Sequence, residues 1–143
     1  MVETTCHQWE SAENTLEKAG MIINENRNFV TQNQAQKMKG DLYMLEGYHY
    51  LRYLKERKDE VPKPKYMGLA ETSINNAIHT FTNLPENPTN TIRIIDAFLM
   101  QAGLEIERER YTEAKKSLDA ATLLLEELSQ KHTISLSLRR IVY

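Results

Sequence analysis

Helix-breaking residues cluster at few places in this chain: Pro62 and Pro64 with Gly68, then Pro85 and Pro88. Long stretches of helix-forming residues run uninterrupted between them. The remaining glycines, Gly20, Gly40, Gly47 and Gly103, stand singly inside those stretches, where a glycine weakens a helix by about 1 kcal/mol without ending it. Five Gly and four Pro in 143 residues supply too few turns for a many-stranded sandwich, and alternating strand patterns hardly occur. The chain is long enough for one core, so it must bury helix faces against one another in a single all-α domain, 1–143.

Periodicity places the helices. A leading helix is expected over 8–24, where Trp9, Ala12, Leu16, Ala19 and Ile23 share one face. The next, 34–56, is apolar nearly all round. Met38, Leu42 and Leu45 lie on one side, Met44, Tyr48 and Leu51 on another, and Tyr43, Tyr50 and Leu54 on a third, so it packs on more than one side. The charged, proline-bearing run 55–65 reads as an inserted loop, followed by a helix over 66–83 with Met67, Ala70, Ile74, Ala77, Ile78 and Phe81 inward. Asn87 is placed to cap a fourth helix with Pro88 in its first turn, and a fifth runs from Tyr111 to about Gln130. A tail, 131–143, completes about five antiparallel helices arranged as a leading helix, a pair over 34–83 and a pair over 89–130.

An internal repeat underlies this arrangement. Ala12, Leu16, Ala19 recurs as Ala70, Ile74, Ala77 and as Ala114, Leu118, Ala121, each set preceded by a bulky residue, Trp9, Met67 or Tyr111. The intervening helices align as well, Asp41–Gly47 over Asp96–Ala102. The shift is 55 residues for the latter and 44 for the Ala pattern, a difference that the 55–65 loop accounts for. These residues resemble the tetratricopeptide repeat family, through Tyr43, Gly47, Met67, Ala70, Ile74 and Ala77 in one unit and Phe98, Ala102, Tyr111, Ala114, Leu118 and Ala121 in the next. The sequence departs from the family's pattern at Glu46 and Gln101, where an aliphatic is usual, and lacks the usual proline near Glu126. The resemblance implies a right-handed stack of helix pairs; a plain helical bundle with similar faces is the alternative.

Catalytic and metal-binding patterns find little support. Glu46 and His49 have the Glu-x-x-His spacing of di-iron bundles, but His7, His79 and His132 follow Thr4, Asn76 and Ser129 at that spacing, so no second ligand pair exists. Cys6 beside His7 reads as a peripheral thiol, and the lone cysteine excludes an internal disulfide framework. No Gly-rich phosphate loop occurs. The expectation is no catalytic residue, no metal and no cofactor. The cluster Arg52, Lys55, Arg57, Lys58, Lys63 and Lys65 is interrupted by Glu56, Asp59 and Glu60, and with a net charge of -2 it reads as a solvated connector rather than a nucleic-acid site. No apolar run is long enough to span a bilayer and no leader pattern opens the sequence, which makes a cytoplasmic protein with no membrane partner the expectation.

What the resemblance implies for function is a concave surface lined by the first helix of each pair, holding a peptide or protein segment. The candidates are Asp41, Met44, Tyr48, Leu51 and Arg52 on one helix and Asp96, Leu99, Gly103, Ile106 and Glu107 on the other, with Met44, Leu51 and Leu99 alternatively ordinary core. The expected work is that of a non-catalytic interaction module, adaptor or chaperone-like. The alternatives are a regulatory or sensor domain taking a peptide or small molecule and, from another class, a helical-bundle enzyme or metal carrier. The apolar end Ile141, Val142, Tyr143 adds self-association to the expected partners.

Overall fold

The computed structural model describes the backbone of residues 2–25, 31–56 and 63–142, and the side chains of 10–24, 31–56 and 63–131. Five helices occupy these residues: α1 (Val2–Glu25), α2 (Gln32–Glu56), α3 (Lys63–Thr82), α4 (Pro88–Glu107) and α5 (Tyr111–Val142). The all-α expectation holds, and among the described residues no strand occurs. The boundaries differ from the sequence reading in instructive ways. α2 starts two residues early because Thr31 and Gln34 form a reciprocal cap: the Gln34 N–H donates to Thr31 Oγ1 at 3.1 Å and the Thr31 N–H to Gln34 Oε1 at 3.0 Å. α3 takes in Lys63, Pro64 and Lys65, since a proline in a first turn lacks only an N–H that has no intrahelical acceptor anyway. α5 runs through the expected tail to Val142. The side chains of Cys6, His7, Trp9, His132, Ile141 and Val142, together with 57–62 and Tyr143, lie outside the described residues.

The other two turns are built locally. Asn87 caps α4 as expected, accepting from the Asn90 N–H at 2.8 Å, while the Asn90 amide donates to the Pro85 carbonyl at 2.9 Å. Between α4 and α5 the Arg110 N–H reaches the Glu105 carbonyl at 2.8 Å and the Glu109 N–H that of Ile106 at 2.9 Å. This is the double bond of a Schellman turn. Its left-handed position, usually glycine, is held by Glu109 at φ 59°.

Cross-helix neighbours fix the topology. Glu13 and Gly20 of α1 meet His49 and Leu42 of α2 in reversed order, as do Gly40 and Gly47 of α2 with Phe81 and Ile74 of α3. Glu71 and Asn75 of α3 meet Arg108 and Gln101 of α4, so these neighbours are antiparallel too. α4 runs antiparallel to α5, with Gln101 on Ser117 and Glu86, just before α4, on Lys131. α2 and α4 touch as parallel neighbours, through Asp41 with Arg93 and Gly47 with Met100. The core lies where α2, α3 and α4 converge: Leu51, Leu54, Ala70, Ile74 and Leu104, with Tyr50, Tyr66, Met67, Ile78 and Met100 packed around them. Each fully buried aliphatic there contributes about 1.5–3 kcal/mol.

Two glycines set the spacing of the first pair. A Cβ on Gly40 would lie 2.6 Å from the Phe81 ring, and one on Gly47 would lie 2.8 Å from the Met100 methyl and 3.0 Å from Ile74. Gly68 has nothing within 4 Å. Gly40→Ala should therefore lower stability, an overpacking cost of about 1–3 kcal/mol outweighing a helix-propensity gain of up to about 1 kcal/mol. Gly68→Ala should keep the gain alone. Urea denaturation of the two variants measures both shifts, which should have opposite signs.

Candidate interaction surface

α2 and α4 lie side by side, and their mutual register is set by charge and by close approach. Arg93 Nε donates to Asp41 Oδ1 at 2.9 Å, each side chain half-exposed. On the outward side of this contact, Met38, Asp41, Leu45, Tyr48 and Arg52 follow one another along one face of α2 at steps of three and four. Ile92, Asp96, Leu99, Gly103 and Ile106 do the same on α4. Leu45 and Tyr48 are 58% and 57% exposed, and Ile92, Leu99 and Ile106 nearly as much. Apolar side chains are thus uncovered on two adjoining helices.

The expected surface residues separate on this geometry. Tyr48, Arg52 and Leu99 are exposed, with Arg52 Nε donating to Glu56 at 2.8 Å. Asp41, Met44, Asp96, Gly103 and Glu107 are half-buried, and Leu51 belongs to the core, held there against Ile74 and Leu104. Glu107 sits at the other end of the surface, lining a cleft of about 540 Å³ with Lys63, Pro64, Met67 and Arg108. The sequence reading passed over Leu45 and Ile92, although the seven-residue spacing of Ile92, Leu99 and Ile106 marks them as one row. It also passed over a cleft of about 620 Å³ between α4 and α5, floored by Pro88, Ile92, Leu124 and Leu128 and bridged by the Glu86–Lys131 ion pair at 2.8 Å.

Polar bonds inside the stack hold this surface. Ser73 donates to Glu46 Oε2 at 3.2 Å, and in the second pair Ser117 donates to Gln101 Oε1 at 3.0 Å. Gln101 passes the chain of bonds on, donating to Asn75 of α3 at 3.3 Å. Arg108 reaches Glu71 at 2.8 Å and Glu105 at 3.4 Å, tying the end of α4 to α3. That hydrogen bond to Arg108 holds the Glu71 carboxyl below the usual carboxylate range. Buried His49 lies 3.4 Å from Glu13 and stacks on Tyr53 at 6.3 Å, within an aromatic group that includes Tyr50 and Tyr66. Burial raises the Tyr50 hydroxyl, with the carboxylates of Glu13 and Glu46 adding to the effect.

Glu46 and His49 therefore face different neighbours, and among the described residues no three His, Cys, Asp or Glu side chains are grouped to hold a metal ion. Of the basic cluster, Arg52 is engaged by Glu56 and Lys65 lies 5.7 Å from the Tyr66 ring centre, while Arg57 and Lys58 lie outside the described residues. No helix among the described residues is long and apolar enough to cross a membrane. Comparison of the chain with family models, curated proteins and solved structures finds no match.

Burial raises the Glu46 carboxyl above its ordinary 4.5, against the opposing pull of the Ser73 hydroxyl. Folding thus favours the protonated acid, and the stability this contributes is present at low pH and lost as pH rises through the raised value. Glu46→Gln, which copies the Gln101 arrangement, should melt higher than the wild type at pH 7, on the order of 2 °C. The advantage should vanish below pH 4.5, as thermal melts across pH would show.

Proposed function

We propose that the chain is a non-catalytic protein-interaction module, tetratricopeptide-like in its stacking, which holds a peptide or protein segment along the surface shared by α2 and α4. The observation that carries this reading is the set of uncovered apolar side chains, Leu45, Tyr48, Leu99 and Ile106, on two adjoining parallel helices and among Asp41, Arg52, Asp96 and Glu107. Apolar surface rimmed by charge is what partner segments cover, and an exposed tyrosine next to an arginine is a common anchor.

The repeat reading draws support from side chains outside the family's usual pattern. Glu46 and Gln101 correspond under the shift of 55 residues, and Ser73 and Ser117 under the shift of 44. Both pairs make the same Ser-to-carbonyl-type hydrogen bond. The order of contacts also fits a stack, each helix lying on its sequence neighbour and the first helix of one pair beside the first helix of the next. A second reading, a sensor domain for a small molecule, is favoured by the apolar cleft between α4 and α5. In either case the work expected is that of an adaptor or regulatory domain in the cytoplasm.

Affinity capture from a native lysate, with quantitative mass spectrometry, tests the first reading. The wild type should enrich a protein that Tyr48→Ala, Arg52→Ala loses at unchanged melting temperature. Equal retention by both chains would displace the site from this surface, and capture of nothing would remove the interaction reading.

A further inference from the structure

The two helix pairs bury the same positions unequally. Ile74 and Phe81 of α3 and Leu51 of α2 are buried at 0%, 1% and 6% exposure. Their counterparts in the second pair, Leu118, Leu125 and Ile106, are 42%, 52% and 49% exposed. α4 covers two of these residues, since Leu104 joins Leu51 and Ile74 in one cluster and the Met100 methyl lies against Gly47, whereas Phe81 lies against Gly40 of α2. The charges follow the same division. Asp41 and Glu71 bind Arg93 and Arg108 of α4, whereas their counterparts Asp96 and Lys115 meet no partner among the described residues.

We propose that the outer face of the α4–α5 pair binds one amphipathic helix from another protein, seated as α4 is seated on α2 and α3. It carries a basic residue opposite Asp96 and an acidic residue opposite Lys115. The proposal rests on the interaction-module reading and names a second surface for it, one that shares Asp96 and Ile106 of α4 with the first. The charges follow from the replacements: Asp96 keeps the sign of Asp41 and calls for a cation in the place of Arg93, while Lys115 reverses Glu71 and calls for an acid in the place of Arg108. The spacing follows too, since Arg93 and Arg108 lie about four helical turns apart.

The helix comes from outside the fold. α3 ends at Thr82 and the chain turns straight back into α4, but at the corresponding position, Glu126, α5 continues to Val142, about 24 Å further. Among the described helices only α2, α3 and α5 pack on α4 and only α4 packs on α5, so none takes the place on this pair that α4 takes on α2 and α3. A second copy fits poorly as well, because its α2, the counterpart of α4, would bring Met38 to Asp96 and Tyr53 to Lys115.

The probes are two fluorescein-labelled peptides copying residues 88–109, one with Arg108→Glu and the other with Arg93→Glu. Anisotropy titration with the full chain should show the first binding at least about tenfold more tightly, a difference of about 1.4 kcal/mol. Asp96→Lys, Lys115→Glu in the full chain should reverse the order, and Lys115→Glu alone, at an exposed position, should narrow it. Absence of saturable binding, or a preference that ignores these reversals, overturns the proposal. So does a dimer in light scattering that Leu118→Glu dissociates, which would give the face to a second copy. Should the peptides fail while lysate capture still depends on Tyr48 and Arg52, the α4–α5 site falls and the interaction reading stands.

Discussion

Everything in this structure depends on how closely α2 is allowed to approach its neighbours. At Gly40 the Phe81 ring occupies the space a side chain would need, and at Gly47 the tips of Ile74 and Met100 do. The glycines weaken α2 as an isolated helix, and the packing they permit more than offsets that loss by letting Phe81 and Ile74 become fully buried. The alanines of α3 and α5 serve the same end from the other side, since Ala70, Ala77, Ala114 and Ala121 are all buried. Small residues fix the distances between helices, and large ones fill what remains.

Polar groups then fix register along those close contacts. A helix pair held only by aliphatic side chains can slide by a turn at little cost, whereas a serine hydroxyl aimed at one amide or carboxylate cannot. Ser73 with Glu46 and Ser117 with Gln101 act in this way within the pairs, and Arg93 and Arg108 do so between them. Glu46 carries the cost of a carboxylate where the second pair has an amide. The half-exposed charges at Asp41 and Arg93 are screened and add little stability, so their part is orientation.

Much of the fold was legible in the sequence because helices announce themselves locally. Apolar spacing located all five, and Asn87 with Pro88 located the start of α4 to within one residue. The Thr31–Gln34 cap was equally local and was overlooked because its signal lies in side chains rather than in apolar period. The length of α5 was missed for a different reason: the run after Gln130 lacks the Ala-aliphatic-Ala pattern, and that pattern reports packing, not helicity. For the candidate surface, the sequence could mark Tyr48, Arg52 and Leu99 as lying on outward faces. It could not separate Leu51 from them, since one step around α2 decides between solvent and the Leu104 side chain.

Each helix lies chiefly on the helix next to it in sequence. Contacts of that kind close short loops, so little chain entropy must be lost before packing begins to repay it, and such chains fold fast. The same feature divides cooperativity. One end can loosen while the other keeps its contacts, because apart from α2 with α4 no described helix packs on one that is not its neighbour in sequence. The α1 end is tied to α2 through His49 and Glu13 and the α5 end to α4 through Ser117 and Lys131, so that loosening of either end leaves the contacts among α2, α3 and α4 in place.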